Sequence, residues 1–217
     1  MCIRDRTGAV PDPKNGDHIS LQRGSGAYSE TDGINLRNSQ ELIGEAVAFN
    51  TEFTANANSI SAYATFASGT MAAPVISTTG GTNHGVDLAS GNTVRGLNVG
   101  NTTGFGFNGG AVGSPTINTV NVTGTGGALN ISTSGSFGSA VSFNTLSSTN
   151  AAAQAINLVG VSGNLFVTSG TISNPTGTAV LVNTGSVAMT YPGSVTKNNA
   201  GRLIEITNKT GGAITFS

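Results

Sequence analysis

The chain has 217 residues, room for one or two domains, and only 9% of them are charged, against roughly 25% in ordinary globular proteins. A net charge of −1 removes the electrostatic case for binding nucleic acid or an anionic membrane surface. Glycine is 32 of 217 but proline only 6, and Val, Ile, Leu and Phe are too frequent for a collagen or a plain linker. No apolar run approaches the ~18 residues that a membrane-spanning helix needs.

Residues 1–15 read as an irregular lead-in rich in turn formers, with Pro11, Pro13, Asn15 and nearby Gly16. Within it, Met1-Cys2-Ile3-Arg4-Asp5-Arg6 resembles the translation of a transposase end sequence used in preparing DNA libraries. Residues 1–6 are therefore expected to be artefactual and are set aside from the fold argument. Cys2 is the single cysteine. Without it the chain is cysteine-free, which with its Ser, Thr, Asn and Gly richness suits a secreted bacterial surface protein. No signal peptide is visible; the start reads as cut, so this carries no weight.

Charge then splits the chain. Residues 1–50 hold 12 of the 19 charged side chains, and over the 144 residues from Phe53 to Thr196 only Asp87 and Arg95 are charged. Residues 16–72 read as N-terminal coils with an irregular insertion. Ile19-x-Leu21 and Ile34-x-Leu36 alternate like short strands, and Leu42-Ile43-Gly44 comes after a polar corner. Within 46–72, Phe49, Phe53, Ile60, Tyr63 and Phe66 have helix-like spacings among poor helix formers. An irregular rung and a short helical insertion both remain open there.

Residues 73–217 read as regular coils. An apolar-x-apolar step recurs as Val86-x-Leu88, Phe105-x-Phe107, Leu129-x-Ile131, Ile156-x-Leu158, Val180-x-Val182 and Ile204-x-Ile206. The successive spacings are 19, 24, 27, 24 and 24 residues. A period in the twenties is the mark of a solenoid, each repeat covering its neighbour's apolar face. Clear strands include Thr116–Val122, Gly163–Val167 and Ala179–Val182, and no capped helical stripe interrupts them. In Val94-Arg95-Gly96-Leu97-Asn98-Val99 a corner at Gly96 resets the strand alternation, so that Val94, Leu97 and Val99 all face inward. Ile117-Asn118-Thr119-Val120-Asn121-Val122 repeats the phrase with Thr119 in the glycine slot.

The phrases Gly33-Ile34-Asn35-Leu36 through Gln40-Glu41-Leu42-Ile43-Gly44, then Gly91-Asn92-Thr93-Val94-Arg95-Gly96-Leu97, are similar to opening coils of the right-handed parallel β-helix, the pectate-lyase-like superfold, in its large secreted bacterial form. The resemblance covers residues 16–45 and 75–217. It implies an all-β solenoid with coils of about 24 residues, secreted or held at a cell surface. Because that fold hosts lyases, hydrolases, phage tailspikes and adhesin passengers, it says little about function. The chain stops on the strand-like Gly212–Ser217, so a fragment of a longer protein with exposed terminal edges is expected.

Candidate sites are few. Gly104-Phe105-Gly106-Phe107-Asn108-Gly109 fits G-x-G-x-x-G, but the adjoining Gly110-Ala111-Val112-Gly113-Ser114-Pro115 cannot start a long helix to face a pyrophosphate. A glycine-rich corner beside an inward Phe pair is expected there. Gly80–Asp87 faintly resembles a calcium-binding repeat, yet one Asp falls short of six oxygen ligands. His84 near Asp87 could act as a base only with a nucleophile or second carboxylate that the local sequence lacks. Asp87 and Arg95 read as a surface ion pair on adjacent faces. Pectate-lyase-like enzymes use clustered Asp for calcium with an Arg or Lys base; the Asp cluster is missing, and none of those roles is transferred. Asp87 finds no carboxylate partner until Glu205, five coils or about 24 Å away; Glu41, Glu45 and Glu52 leave a small opening nearer the N-terminus.

Asn101, Asn121, Asn130 and Asn208 head glycosylation-like triplets that chance explains in so Asn-, Ser- and Thr-rich a chain. Thr123-Gly124-Thr125 and Thr176-Gly177-Thr178 suggest ice binding, which needs such pairs at every rung in register; as Thr pairs they do not recur that way. No catalytic, metal or cofactor residue is therefore assigned, and no cofactor is expected. The expected function is a non-catalytic structural or adhesive segment of a secreted or cell-surface bacterial protein, meeting glycans or neighbouring surfaces. A polysaccharide lyase, hydrolase or tailspike-like enzyme whose catalytic residues lie mostly elsewhere, and a carbohydrate-binding β-helix, are the alternatives.

Overall fold

The computed structural model describes residues 14–23, 25–47, 72–138 and 141–217. The lead-in through residue 13 and most of 46–72 lie outside the described residues. The described chain is an all-β parallel solenoid of about seven turns with coils of about 24 residues.

The first coil contributes β1 (His18–Leu21), β2 (Tyr28–Glu30) and β3 (Ile34–Asn35), and the second β4 (Glu41–Gly44), β5 (Val75–Thr78) and β6 (Val86–Leu88). Then come β7 (Thr93–Val99) with β8 (Phe105–Ala111), and β9 (Thr116–Val122) with β10 (Gly127–Phe137). The next coil has β11 (Ser142–Leu146), β12 (Ser148–Thr149) and β13 (Ile156–Val159), and after it lie β14 (Val161–Ser173) and β15 (Val180–Asn183). The last holds β16 (Ala188–Tyr191), β17 (Gly193–Thr196) and β18 (Ile204–Thr207), and β19 (Ile214–Phe216) begins one more.

Each strand pairs in parallel with its equivalent one coil on, so equivalent residues stack in columns about 4.8 Å apart. One inward column runs Ile34, Val86, Phe107, Leu129, Ile156, Val180, Ile204. It corrects the register read from the sequence. Phe107, not Phe105, stacks on Val86, and Gly109 stacks on Leu88. Phe107 is buried while Phe105 is only half-buried, so the expected inward Phe pair is one inward ring. Two aromatics in alternate positions carry no register signal of their own; pairing with Val86 and Leu129 decides it.

The corner at Gly96 is formed as expected. Gly96 has φ 72° and Thr119 φ 53°, both left-handed, and Val94, Leu97, Val99, Ile117, Val120 and Val122 are all buried. One left-handed residue inside the strand turns the chain, and the parallel pairing resumes on its far side at Leu97 and Val120. Leu42 and Val94 stack as neighbours although 52 positions apart, more than two coil lengths.

The core is a stack of aliphatic rungs with a few rings. Phe107 and Phe143 meet edge to face at 5.5 Å. Tyr191 is fully buried, and its hydroxyl donates to the Leu146 carbonyl at 2.8 Å. Each fully buried Val, Leu, Ile or Phe contributes about 1.5–3 kcal/mol relative to exposure. Ile204 and Ile206, with no coil above them, stay 37% and 45% exposed, where their stacked equivalents Val180 and Val182 are buried.

Candidate functional site

Outward positions on the face of β6, β8, β10 and β13 form a column of short polar side chains. Asp87 stacks under Asn108, then Asn130, then Asn157. Asn108 Nδ2 donates to Asp87 Oδ1 at 2.5 Å, Asn130 Nδ2 to Asn108 Oδ1 at 2.6 Å, and Asn157 Nδ2 to Asn130 Oδ1 at 2.6 Å. A carboxylate only accepts, so Asp87 fixes the direction of every amide above it. The next residue in the column is Leu181, which has no side-chain donor. Asn157 Oδ1 is thereby left buried and without a partner.

Glu205 closes this same column, five coils from Asp87 as counted from the sequence. The separation far exceeds the ~6.5–9.5 Å of an inverting carboxylate pair. Glu205 instead pairs with Arg202 at 2.5 Å and accepts from Thr178 Oγ1 at 3.3 Å.

Asp87 and Arg95 do not form the expected ion pair. Arg95 lies on β7, stacked between Ile43 and Asn118 on another face, and the Asp87 carboxylate takes the Asn108 amide. Adjacent faces turn their outward side chains away from each other, which closeness in sequence conceals. His84 is seated by the next coil. Its Nδ1 accepts the Phe105 main-chain N–H at 2.8 Å, which puts the proton of the neutral ring on Nε2. The ring lies against Gly104, where an added Cβ would sit 2.5 Å from Nδ1.

The glycine-rich stretch 104–109 lies largely in β8 and continues as strand, with no helix N-terminus after it. The Gly80–Asp87 corner is closed by Asn83 Nδ2 and Thr103 Oγ1, which donate to Gly80 O at 3.0 and 2.8 Å. Among the described residues no three His, Cys, Asp or Glu side chains gather where they could hold a metal. Near the N-terminus, Glu41 lies 3.1 Å from His18 and Glu45 accepts the Arg23 N–H at 2.9 Å; Glu52 lies outside the described residues. The four glycosylation-like asparagines all join coils. Asn121 bonds Asn98, Asn130 sits in the ladder, Asn101 accepts from Thr125 N, and Asn208 bonds Asn183.

Two arrangements escape sequence reading. Lys197 Nζ donates to the carbonyls of Pro175, Thr176 and Gly177 at 2.6, 3.1 and 2.6 Å, so a lysine from one coil closes a corner of the coil before. The second is a pair of hydroxyl columns on the face of β12 and β17. Thr125, Thr149, Ser173 and Thr196 stack in register. Beside them, two residues earlier in each rung, lie Thr123, Ser147, Thr171 and Ser194. The sequence expectation required Thr at both positions. With Ser admitted, the Thr123-x-Thr125 pair recurs on four consecutive rungs. Thr176-x-Thr178 belongs to the corner that Lys197 closes and takes no part.

On the neighbouring face Phe166 is 49% exposed beside a shallow groove lined by Asn164, Ala188, Thr190 and Thr215. No helix among the described residues is long and apolar enough to cross a membrane. Comparison with known protein families, curated proteins and solved structures finds no match to this chain.

Proposed function

We propose that this chain is a stiff, non-catalytic segment of a secreted or cell-surface bacterial protein, holding adhesive surfaces away from an anchor. The observation that carries this reading is the use made of the ionisable groups in the charge desert. Asp87 terminates an amide ladder and His84 accepts a main-chain N–H, so each is engaged in holding coils together. The scarcity of charge along the coils suits contact with neutral surfaces such as cell-surface glycans. The test is to offer the purified chain pectin, alginate and capsular polysaccharides while measuring its adhesion to cells and immobilised glycans. Adhesion without turnover is expected. Turnover that disappears in Asp87→Asn would replace this reading with an enzymatic one.

A carbohydrate-binding β-helix is the second reading, favoured by Phe166. An exposed ring beside Asn164 and Thr190 offers a sugar one apolar face and two hydrogen-bonding groups. Glycan-array signals that fall in Phe166→Ala support it; signals unaffected by that change remove it.

A further inference from the structure

The face carrying the two hydroxyl columns points to a ligand that is itself a lattice. Eight outward positions on four consecutive rungs are Ser or Thr. Thr123, Thr125, Thr171, Ser194 and Thr196 are exposed; Ser147, Thr149 and Ser173 are half-buried. Rungs repeat at about 4.8 Å and alternate residues along a strand at about 6.6 Å, so the hydroxyls lie on a two-dimensional grid. No charged residue occupies any of its eight positions.

Several hydroxyls are held in place. Ser173 Oγ donates to Thr149 Oγ1 at 3.4 Å, Ser147 Oγ accepts the Thr171 main-chain N–H at 3.0 Å, and Thr196 Oγ1 donates to Ile172 O at 3.3 Å. The Thr members add stiffness at χ1 and present a methyl beside each oxygen.

We infer that this grid is an ice-binding face. In liquid water a hydroxyl exchanges one hydrogen bond for another and gains at most about 0.5–1.5 kcal/mol, so a small soluble ligand has little to hold it here. A solid with the same repeat engages every hydroxyl at once, and the sheet has already met the ordering cost. The surface of ice is likewise a fixed two-dimensional lattice of hydrogen-bonding oxygens. Charged side chains would orient nearby water by their own fields, and this face has none. A glycan is less favoured because sugars bind through apolar ring faces. The nearest exposed aromatic, Phe166, belongs to the neighbouring face, beyond the corner at Thr168 and Ser169, where two successive residues are exposed.

The test uses the whole purified chain in ice-recrystallisation and thermal-hysteresis measurements, with folding checked by circular dichroism. The wild-type chain is expected to arrest recrystallisation. Thr171→Lys and Thr149→Lys place a charge in mid-grid on outward positions and should weaken the effect by about tenfold or more. The triple change Ser147→Thr, Ser173→Thr and Ser194→Thr completes the Thr grid and should strengthen it severalfold. Ser136→Lys, exposed on a different face of the coil, should leave it intact. A folded wild-type chain without effect on ice overturns the inference, as does equal loss in Ser136→Lys. Binding to crystalline cellulose or chitin that the two grid lysines abolish, with ice unaffected, would reassign the face to a solid glycan.

Discussion

On the face of β6, β8, β10 and β13 the side-chain amides turn their donors on one another, rung to rung, until the carbonyl of Asn157 is left over. On the face of β12 and β17 the side chains are shorter; Thr123, Thr125, Thr171 and Ser194 are exposed there, while the hydroxyls of Ser147, Thr149, Ser173 and Thr196 bond to neighbouring coils. Both faces belong to the same coils and both are nearly free of charge. Reach makes the difference. Asn spans the gap between rungs and closes a bond with its own kind, whereas Ser and Thr mostly fall short or turn to a main-chain carbonyl. The amide column therefore braces the rod, and the hydroxyl columns keep part of their oxygens available to whatever lies outside.

The sharpest way to break this contrast is to interrupt the ladder. Asn130→Leu strands Asn108 Oδ1 and Asn157 Nδ2 and is expected to cost about 1–3 kcal/mol in denaturant unfolding. A loss no greater than that of an alanine on the hydroxyl face would show that the amides do not brace the rod.

A core comparison comes next. Burial pushes the Tyr191 hydroxyl pKa up. The unfolded chain ionises near the ordinary tyrosine value of about 10, while the folded chain keeps its proton. Stability is thus full below that pH and declines as pH rises through it. Thermal melts across the alkaline range should show this slope, and Tyr191→Phe should flatten it.

Repairing the ladder is a smaller effect. Leu181→Asn offers a donor to the unpartnered Asn157 Oδ1 and should raise stability by about 1 kcal/mol; a lower melting temperature would count against the directional ladder. Thr119→Gly relieves a left-handed β-branched residue at the position where the preceding coil already has Gly96, with an expected gain of about 0.5 kcal/mol. Thr149→Ala, on the hydroxyl face, should move stability by less than about 0.5 kcal/mol.

The architecture was legible because inward pairs such as Ile156-x-Leu158, Val180-x-Val182 and Ile204-x-Ile206 keep one spacing, and because Gly96 and Thr119 mark the same corner. The columns were not. Rungs along the Asn column are 21, 22 and 27 residues apart, so corners of unequal length hide the alignment that only pairing reveals. The hydroxyl columns keep near-constant spacing, but Ser and Thr alternate unpredictably in a chain full of both. The seat of His84 depends on a main-chain N–H 21 residues away, which no side-chain pattern announces.

The stacking of equivalent residues from coil to coil has a genetic consequence. An in-frame duplication of one coil's coding sequence lengthens the rod by about 4.8 Å and leaves every column aligned. An insertion of one codon within a strand sends the residues beyond it to the opposite surface. Recombination between such repeats can therefore alter reach freely, while single-codon slips inside a rung are purged.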